Sequence, residues 1–214
     1  GEGFVELGEL RHAACLDVAA AGREARLAPL DRGHELVAER GAAALELLDR
    51  ASLRSVENQA GIPPSIKTLP EGAAALLVEF QGSEESERQV LEAKAVACAA
   101  GFSLMEPARF THDPGEQALM WKIRSGTFPS VGAVRKRGTT VLIEDVAFPI
   151  AHLADAAVDL TKLFAKHGYD EAILFGHAKD GNLHFVITQS FNNQAETDRY
   201  QRFMDEVVEL VVRK

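Results

Sequence analysis

Cysteine is scarce in this 214-residue chain, and its scarcity sets the first limit. Cys15 and Cys98 lie far apart in alanine-rich, helix-like stretches. Two such residues cannot build a disulfide framework, and no Cys-x-x-Cys pair offers metal or redox chemistry. They read as small buried apolar residues, which favours a reducing compartment. Long apolar runs are missing too, since none nears the roughly 18 residues that a membrane span needs. No basic segment leads into an apolar one near the start, so the secretory pattern is absent. Internal repeats and low-complexity linkers are also absent. A basic excess is lacking: the formal net charge is −9, which argues against a nucleic-acid surface.

What is present is ordinary globular material. The length suits one substantial domain or two small ones, and the apolar share is enough for a core. The start at Gly1-Glu2-Gly3 and the end at Lys214, directly after an apolar helical pattern, suggest a piece of something longer. The charge distribution says more than its sum. No acidic residue falls between Glu116 and Glu144, a window holding Lys122, Arg124, Arg135, Lys136 and Arg137. A cationic island in an acidic chain suits a small anion better than a polymer.

Residues 1–44 read as a helical or poorly ordered lead-in, and 45–214 as the main domain. Ala42 to Leu48 could be a helix end or a buried strand. Gly61, Pro63, Pro64, Pro70 and Gly72 mark a loop. Strands are expected at Ala73–Phe80, Phe102–Glu106, Thr139–Val146, Glu171–Phe175 and Asn182–Thr188. Helices are expected from Ser83, its N-cap, to Ala100 before Gly101, then at Gly115–Arg124 and Ile150–His167, and from about Ala195 onward. His167 is expected at a helix C-terminus, where it favours the dipole. This order implies an α+β two-layer sandwich, with a mostly antiparallel sheet covered by helices in a ferredoxin-like elaboration.

The segment Gly176-His177-Ala178-Lys179-Asp180-Gly181-Asn182-Leu183-His184 carries the chemistry. Asp-Gly is a favoured pair for a two-residue type I′ turn. With Asp180-Gly181 at the turn, His177 faces His184 on one side of the sheet. Directly opposed Cβ atoms lie about 4.5–5.5 Å apart. Two imidazoles so placed can share a divalent ion, although a catalytic zinc usually takes three protein ligands.

These residues resemble the signature of the FAD-linked oxidase C-terminal domain, of the vanillyl-alcohol-oxidase-like superfamily. That family includes D-lactate and D-2-hydroxyglutarate dehydrogenases and the flavin subunit of glycolate oxidase. Ala44-Leu45-Glu46-Leu47-Leu48-Asp49-Arg50 resembles the first strand of the domain. Trp121-Lys122-Ile123-Arg124 resembles its substrate-side Trp-x-x-Arg, and Glu144-Asp145-Val146-Ala147-Phe148-Pro149 its Asp-Val-x-x-Pro strand end.

The resemblance implies a parent flavoenzyme that oxidises a D-2-hydroxy acid to the 2-oxo acid, with hydride passing to FAD. FAD would be bound mainly by a separate domain of the same chain. His177 and His184 would hold a divalent metal, zinc or manganese, with a Glu beyond Lys214. The base would also lie beyond Lys214, which leaves no catalytic residue in this piece. Arg124 would pair with the substrate carboxylate through its planar fork. Lys122 would supply a further cation, as could Arg135, Lys136 or Arg137. Asn182 would contact substrate or flavin or else serve as a turn residue, Asp180 and Gly181 would shape the turn, and Trp121 fits the core. Ile143, Val186 and Phe128 stand where some relatives have Lys, Asn and a small hydroxyl residue, which leaves the hydroxy acid open.

By itself the piece is expected to hold no FAD, to show no turnover, and to dimerise through apolar surface that would meet the flavin domain. A cytoplasmic location is expected, with peripheral contact to the inner face of a membrane as a variant. Two other readings compete: a non-catalytic α+β module binding a small anion or serving assembly, and a metal-dependent hydrolase using the histidine pair.

Overall fold

The computed structural model describes residues 11–18, 41–81, 84–99 and 109–214. The expected strand at 102–106, the N-cap Ser83 and the helix stop Gly101 lie outside the described residues. Among the described residues, seven strands form one sheet: β1 (Arg11–Val18), β2 (Ala44–Asp49), β3 (Ala74–Gln81), β4 (Arg109–Thr111), β5 (Thr140–Ala147), β6 (Ile173–His177) and β7 (Asn182–Gln189). Their order is β4-β1-β3-β2-β6-β7-β5, and each described pairing is antiparallel. Five described α-helices accompany it: α1 (Arg50–Val56), α2 (Glu85–Ala99), α3 (Pro114–Val134), α4 (Leu153–Lys166) and α5 (Gln194–Arg213). The class is α+β, with an antiparallel sheet covered by helices, as the sequence implied.

The middle strands explain the layering. β3 is buried at every position from Ala74 to Phe80, so both of its faces must be covered. On one face Leu45, Leu47, Leu76 and Val78 join Leu160 and Phe164 of α4 and Phe203, Val207 and Leu210 of α5. Fully burying a side chain of this size contributes roughly 1.5–3 kcal/mol. On the other face Leu48 and Ala75 meet Leu53 of α1 and Ile123 of α3. Ile173, Phe175 and Val186 meet Val131 of α3 on that same side.

Local signals set the helix ends. Asn193 accepts from the Glu196 N–H and starts α5 one residue before the expected position. A 3-10 turn, Ile150–His152, precedes α4, so the expected helix divides in two. After α4, Tyr169 N–H donates to the Phe164 carbonyl and Gly168 N–H to that of Ala165, which is a Schellman closure. His167 occupies the C-cap, and its Nε2 lies 3.2 Å from Glu206.

Two elements differ from expectation. Residues 11–18, read as helical or without definite structure, form β1, because pairing with β3 on one edge and β4 on the other overrides weak local preference. Cys15 is therefore in a strand, while Cys98 is in α2. Helix α3 continues to Val134 instead of stopping at Arg124, through Gly126 and Pro129. The side chains of Thr127 and Ser130 donate to the carbonyls of Arg124 and Gly126, which supports the turns around that proline.

Candidate active site on the sheet face beneath helix α3

Glu46 lies in β2 between Leu45 and Leu47, each 1% exposed and turned into the main core. Alternation along the strand therefore sends Glu46 to the opposite face, where it is only 4% exposed. Its two oxygens are divided between two partners. Oε1 lies 2.7 Å from Nδ1 of His177, and Oε2 accepts from Nε of Arg124 at 2.7 Å. The first contact follows from register, since Glu46 opposes His177 across β2 and β6. The second comes from α3, which brings Arg124 over the sheet. The Arg124 guanidinium also sits 4.7 Å from the centre of the Phe175 ring.

The turn between β6 and β7 differs from the expected two-residue form. A one-turn 3-10 helix, Ala178–Asp180, is closed by Gly181 at φ +71°. The register places Phe175, not His177, opposite His184. The slip is two residues, and side chains alternate with period two, so His177 and His184 still share a face. Their ring centroids are 5.3 Å apart and their planes lie at 86°. The same-side relationship therefore holds while the direct pairing does not. Gly176 permits the close strand approach, because a Cβ there would lie 2.4 Å from the Asn182 carbonyl oxygen.

His184 has Asp145 of β5 as its opposite neighbour, with Nδ1 3.8 Å from Oδ1. Burial pushes the His184 imidazole below its ordinary range; Asp145 opposes this, and His177 and Arg124 reinforce it. His184 is thus held neutral near pH 7, with a lone pair available to a proton or a metal. The His177 side chain is 48% exposed, so the cluster opens to solvent.

The other sequence-selected residues separate. The Asn182 amide nitrogen donates to Asp145 and, at 3.5 Å, to the Val146 carbonyl, which ties β7 to β5 beside the histidines. Lys122 donates to the Ala60 carbonyl at 3.2 Å, away from the cluster. Arg135 donates to the carbonyls of Gly132 and Thr139 and closes the end of α3. Lys136 and Arg137 are exposed on the following turn. Of the five cations in the island, Arg124 alone joins the carboxylate and imidazoles among the described contacts. Trp121 donates from its indole nitrogen to Glu79, a buried carboxylate on β3. Trp121-x-x-Arg124 thereby fastens α3 to two acidic residues of the sheet.

Glu46, Glu79 and Phe175 were not singled out in the sequence. A lone Glu within each of the apolar runs Ala44–Leu48 and Ala74–Phe80 was the available signal. A cavity of about 220 Å³ bordered by Asp49, Arg50, Arg54 and Tyr169 lies beside α1 and α4 and includes none of the residues just described.

Residues 32–214 match the family described as FAD linked oxidases, C-terminal domain, and the chain belongs to that family. It is 29% identical over 173 residues to glycolate oxidase subunit GlcD of Bacillus subtilis, covering 79% of this chain and 34% of that protein. The GlcD subunit of Escherichia coli K12 is 27% identical over 171 residues, 78% of this chain and 32% of that protein. The chain thus spans about a third of the length of these curated relatives. Among solved structures, p-cresol methylhydroxylase with substrate bound superposes with a TM-score of 0.58, over 92% of this chain and 43% of that one, at 13% identity. Alkyldihydroxyacetonephosphate synthase gives 0.59, over 94% and 39%, at 11% identity. At such identities these structures show the shared fold.

The donor set for a metal is partial. His177 and His184 offer two nitrogens, while Glu46 is already engaged by His177 and Arg124. Among the described residues no group of three or more His, Cys, Asp or Glu side chains could hold an ion. A catalytic zinc usually takes three protein ligands, so these residues do not complete such a site.

Proposed function

We propose that this chain is the substrate-side domain of an FAD-dependent dehydrogenase or oxidase that converts a D-2-hydroxy acid into the 2-oxo acid. One observation carries the reading: on one solvent-reaching face a buried carboxylate joins a guanidinium to one imidazole, and a second imidazole packs against the first. Arg124 uses Nε on Glu46, which leaves the terminal nitrogens of its fork for a substrate carboxylate. His177 and His184 would face the α-hydroxyl of an acid held by Arg124. Bound flavin supplies the hydride acceptor. The domain's own residues bind the acid, orient its α-carbon, and hold the imidazoles toward the hydroxyl proton. Asn182 borders this site, and Lys122 contributes only from the periphery.

FAD would be held mainly by another domain of the same protein. A zinc or manganese ion would need a third ligand beyond the described residues. Similarity to two glycolate oxidase subunits supports a small hydroxy acid, as does a Schizosaccharomyces pombe protein, 24% identical over 163 residues, provisionally assigned as a mitochondrial D-lactate dehydrogenase. No helix among the described residues is long and apolar enough to cross a membrane.

The test is anaerobic mixing of the full-length, flavin-loaded protein with glycolate, D-lactate and L-lactate. Loss of oxidised-flavin absorbance with glycolate or the D-acid is the expected result, and Arg124→Ala should raise the concentration needed at least tenfold. A flavin left oxidised by every 2-hydroxy acid tried would overturn the proposal. The 214-residue chain by itself should neither retain flavin nor turn over.

A further inference from the structure

We infer that Glu46 is the positioning residue of this site. Its carboxylate fixes the proton of His177 on Nδ1, presents the Nε2 lone pair to the ligand, and anchors Arg124 from the same point. The inference rests on the reading of this face as the substrate side, and it goes beyond it by assigning how the face is organised.

Three observations lead here. First, Glu46 is 4% exposed, and each of its oxygens is taken by one of the two groups that the sequence pattern selects. Stability alone does not account for such a group, because well-packed apolar residues replace buried ion pairs at little or no cost. Second, a carboxylate facing a guanidinium accepts from the imidazole, which puts the His177 proton on Nδ1. His177 is half exposed, and this bond is what selects its tautomer and ring orientation. Third, Nε of Arg124 is committed to the same carboxylate while its planar group lies over Phe175. One anchor therefore sets the spacing between guanidinium and imidazole. A ligand carrying a carboxylate beside a hydroxyl would meet both groups at that fixed spacing.

The test is the nitrogen spectrum of the histidine rings in the chain labelled with 15N-histidine, at neutral pH. His177 should show a protonated Nδ1 and a pyridine-type Nε2. In Glu46→Gln the single amide oxygen goes to the charged guanidinium, so the amide N–H faces Nδ1. Nδ1 must then accept, and the pyridine-type signal should move from Nε2 to Nδ1. His184 makes no hydrogen bond to Glu46 and should keep its own pattern, which reports an intact fold. A wild-type His177 whose neutral ring carries its proton on Nε2 would overturn the inference. So would an unchanged His177 in folded Glu46→Gln. If that variant does not fold, Arg124→Gln retains the carboxylate and should keep His177 protonated on Nδ1; loss of that form would count against Glu46. These spectra need neither flavin nor substrate. Their failure leaves the hydroxy-acid reading standing, and an unreactive flavin in the full-length protein leaves the tautomer result standing.

Discussion

Oε2 of Glu46 accepts a 2.7 Å hydrogen bond from Nε of Arg124, across 78 positions of sequence, joining a mid-sheet strand to helix α3. The side chains are 5% and 12% exposed. Removing one member of a buried pair leaves an uncompensated charge and costs about 3–5 kcal/mol. Glu46 keeps His177 as a partner, so Arg124→Ala should fall near the lower end, about 3 kcal/mol. The double replacement Glu46→Leu, Arg124→Leu should recover most of that loss. Urea unfolding of Glu46→Leu, Arg124→Leu and the double variant checks the coupling. Simple additivity of the two single losses would show that the pair does not act as a unit.

Gly181 is fixed in its turn by two separate constraints. Its φ is +71°, and a Cβ there would lie 2.1 Å from the carbonyl oxygen of Phe148. That carbonyl has little freedom to retreat, because Phe148 N–H donates to the Gly181 oxygen at 2.9 Å. Asn tolerates the left-handed conformation but carries the same Cβ. Gly181→Ala and Gly181→Asn should therefore both lose about 3 kcal/mol or more, from strain and overlap together. Thermal unfolding of the two variants separates the causes. A Gly181→Asn protein as stable as wild type would remove the steric part of this account.

Gln189, fully buried, accepts from the Tyr169 hydroxyl at 2.7 Å and from Arg199 at 2.8 Å through one oxygen. Tyr169→Phe removes one of two donors and should cost about 1 kcal/mol. Gln189→Leu strands both a buried hydroxyl and a guanidinium, and should cost roughly 3 kcal/mol. Denaturant midpoints rank the two; equal losses would mean that Arg199 finds another acceptor.

The legible parts of this protein were those governed by local chemistry. The α4 periodicity with Gly168 after it, the strand expected at Ala73–Phe80 and the start of α5 expected near Ala195 were legible to within a residue, because caps and alternation act within a few residues. The histidine pair was legible for a related reason. The common face of His177 and His184 depends only on parity, so it survived an error of two in the register. The turn itself was misread because Asp180-Gly181 fits both a two-residue hairpin turn and the end of a 3-10 turn. Contact with Phe148, from a distant segment, accompanies the second form. β1 and the second half of α3 depend on pairing and packing with distant elements, which local preference does not encode. Glu46 stayed hidden for the same reason: its partners come from β6 and α3, and neither is its neighbour in sequence.

Asp49 provides a pH test that is independent of the site. Its side chain accepts from the Ser52 N–H at 2.7 Å, as the N-cap of α1. Burial pushes the carboxyl up from 3.8 to about 6, against the hydrogen bonds from Ser52. A folded pKa above the unfolded one means that the native state binds the extra proton. The associated stability is fully present below the unfolded value and is lost as pH rises through about 6. The shift is worth of order 2 kcal/mol after allowing for partial exposure. Attraction of the ionised form to the helix N-terminus offsets only about 0.3–1 kcal/mol in general, and less in so short a helix. Asp49→Asn keeps an acceptor for Ser52 and carries no charge. It should therefore be more stable than wild type above pH 6, by about 2 kcal/mol, with the advantage shrinking as pH falls toward the unfolded value. Urea midpoints of both proteins from about pH 4 to 8 measure this. A constant difference across that range, or a wild-type advantage at its upper end, would show that the buried carboxylate is not what disfavours the charged form.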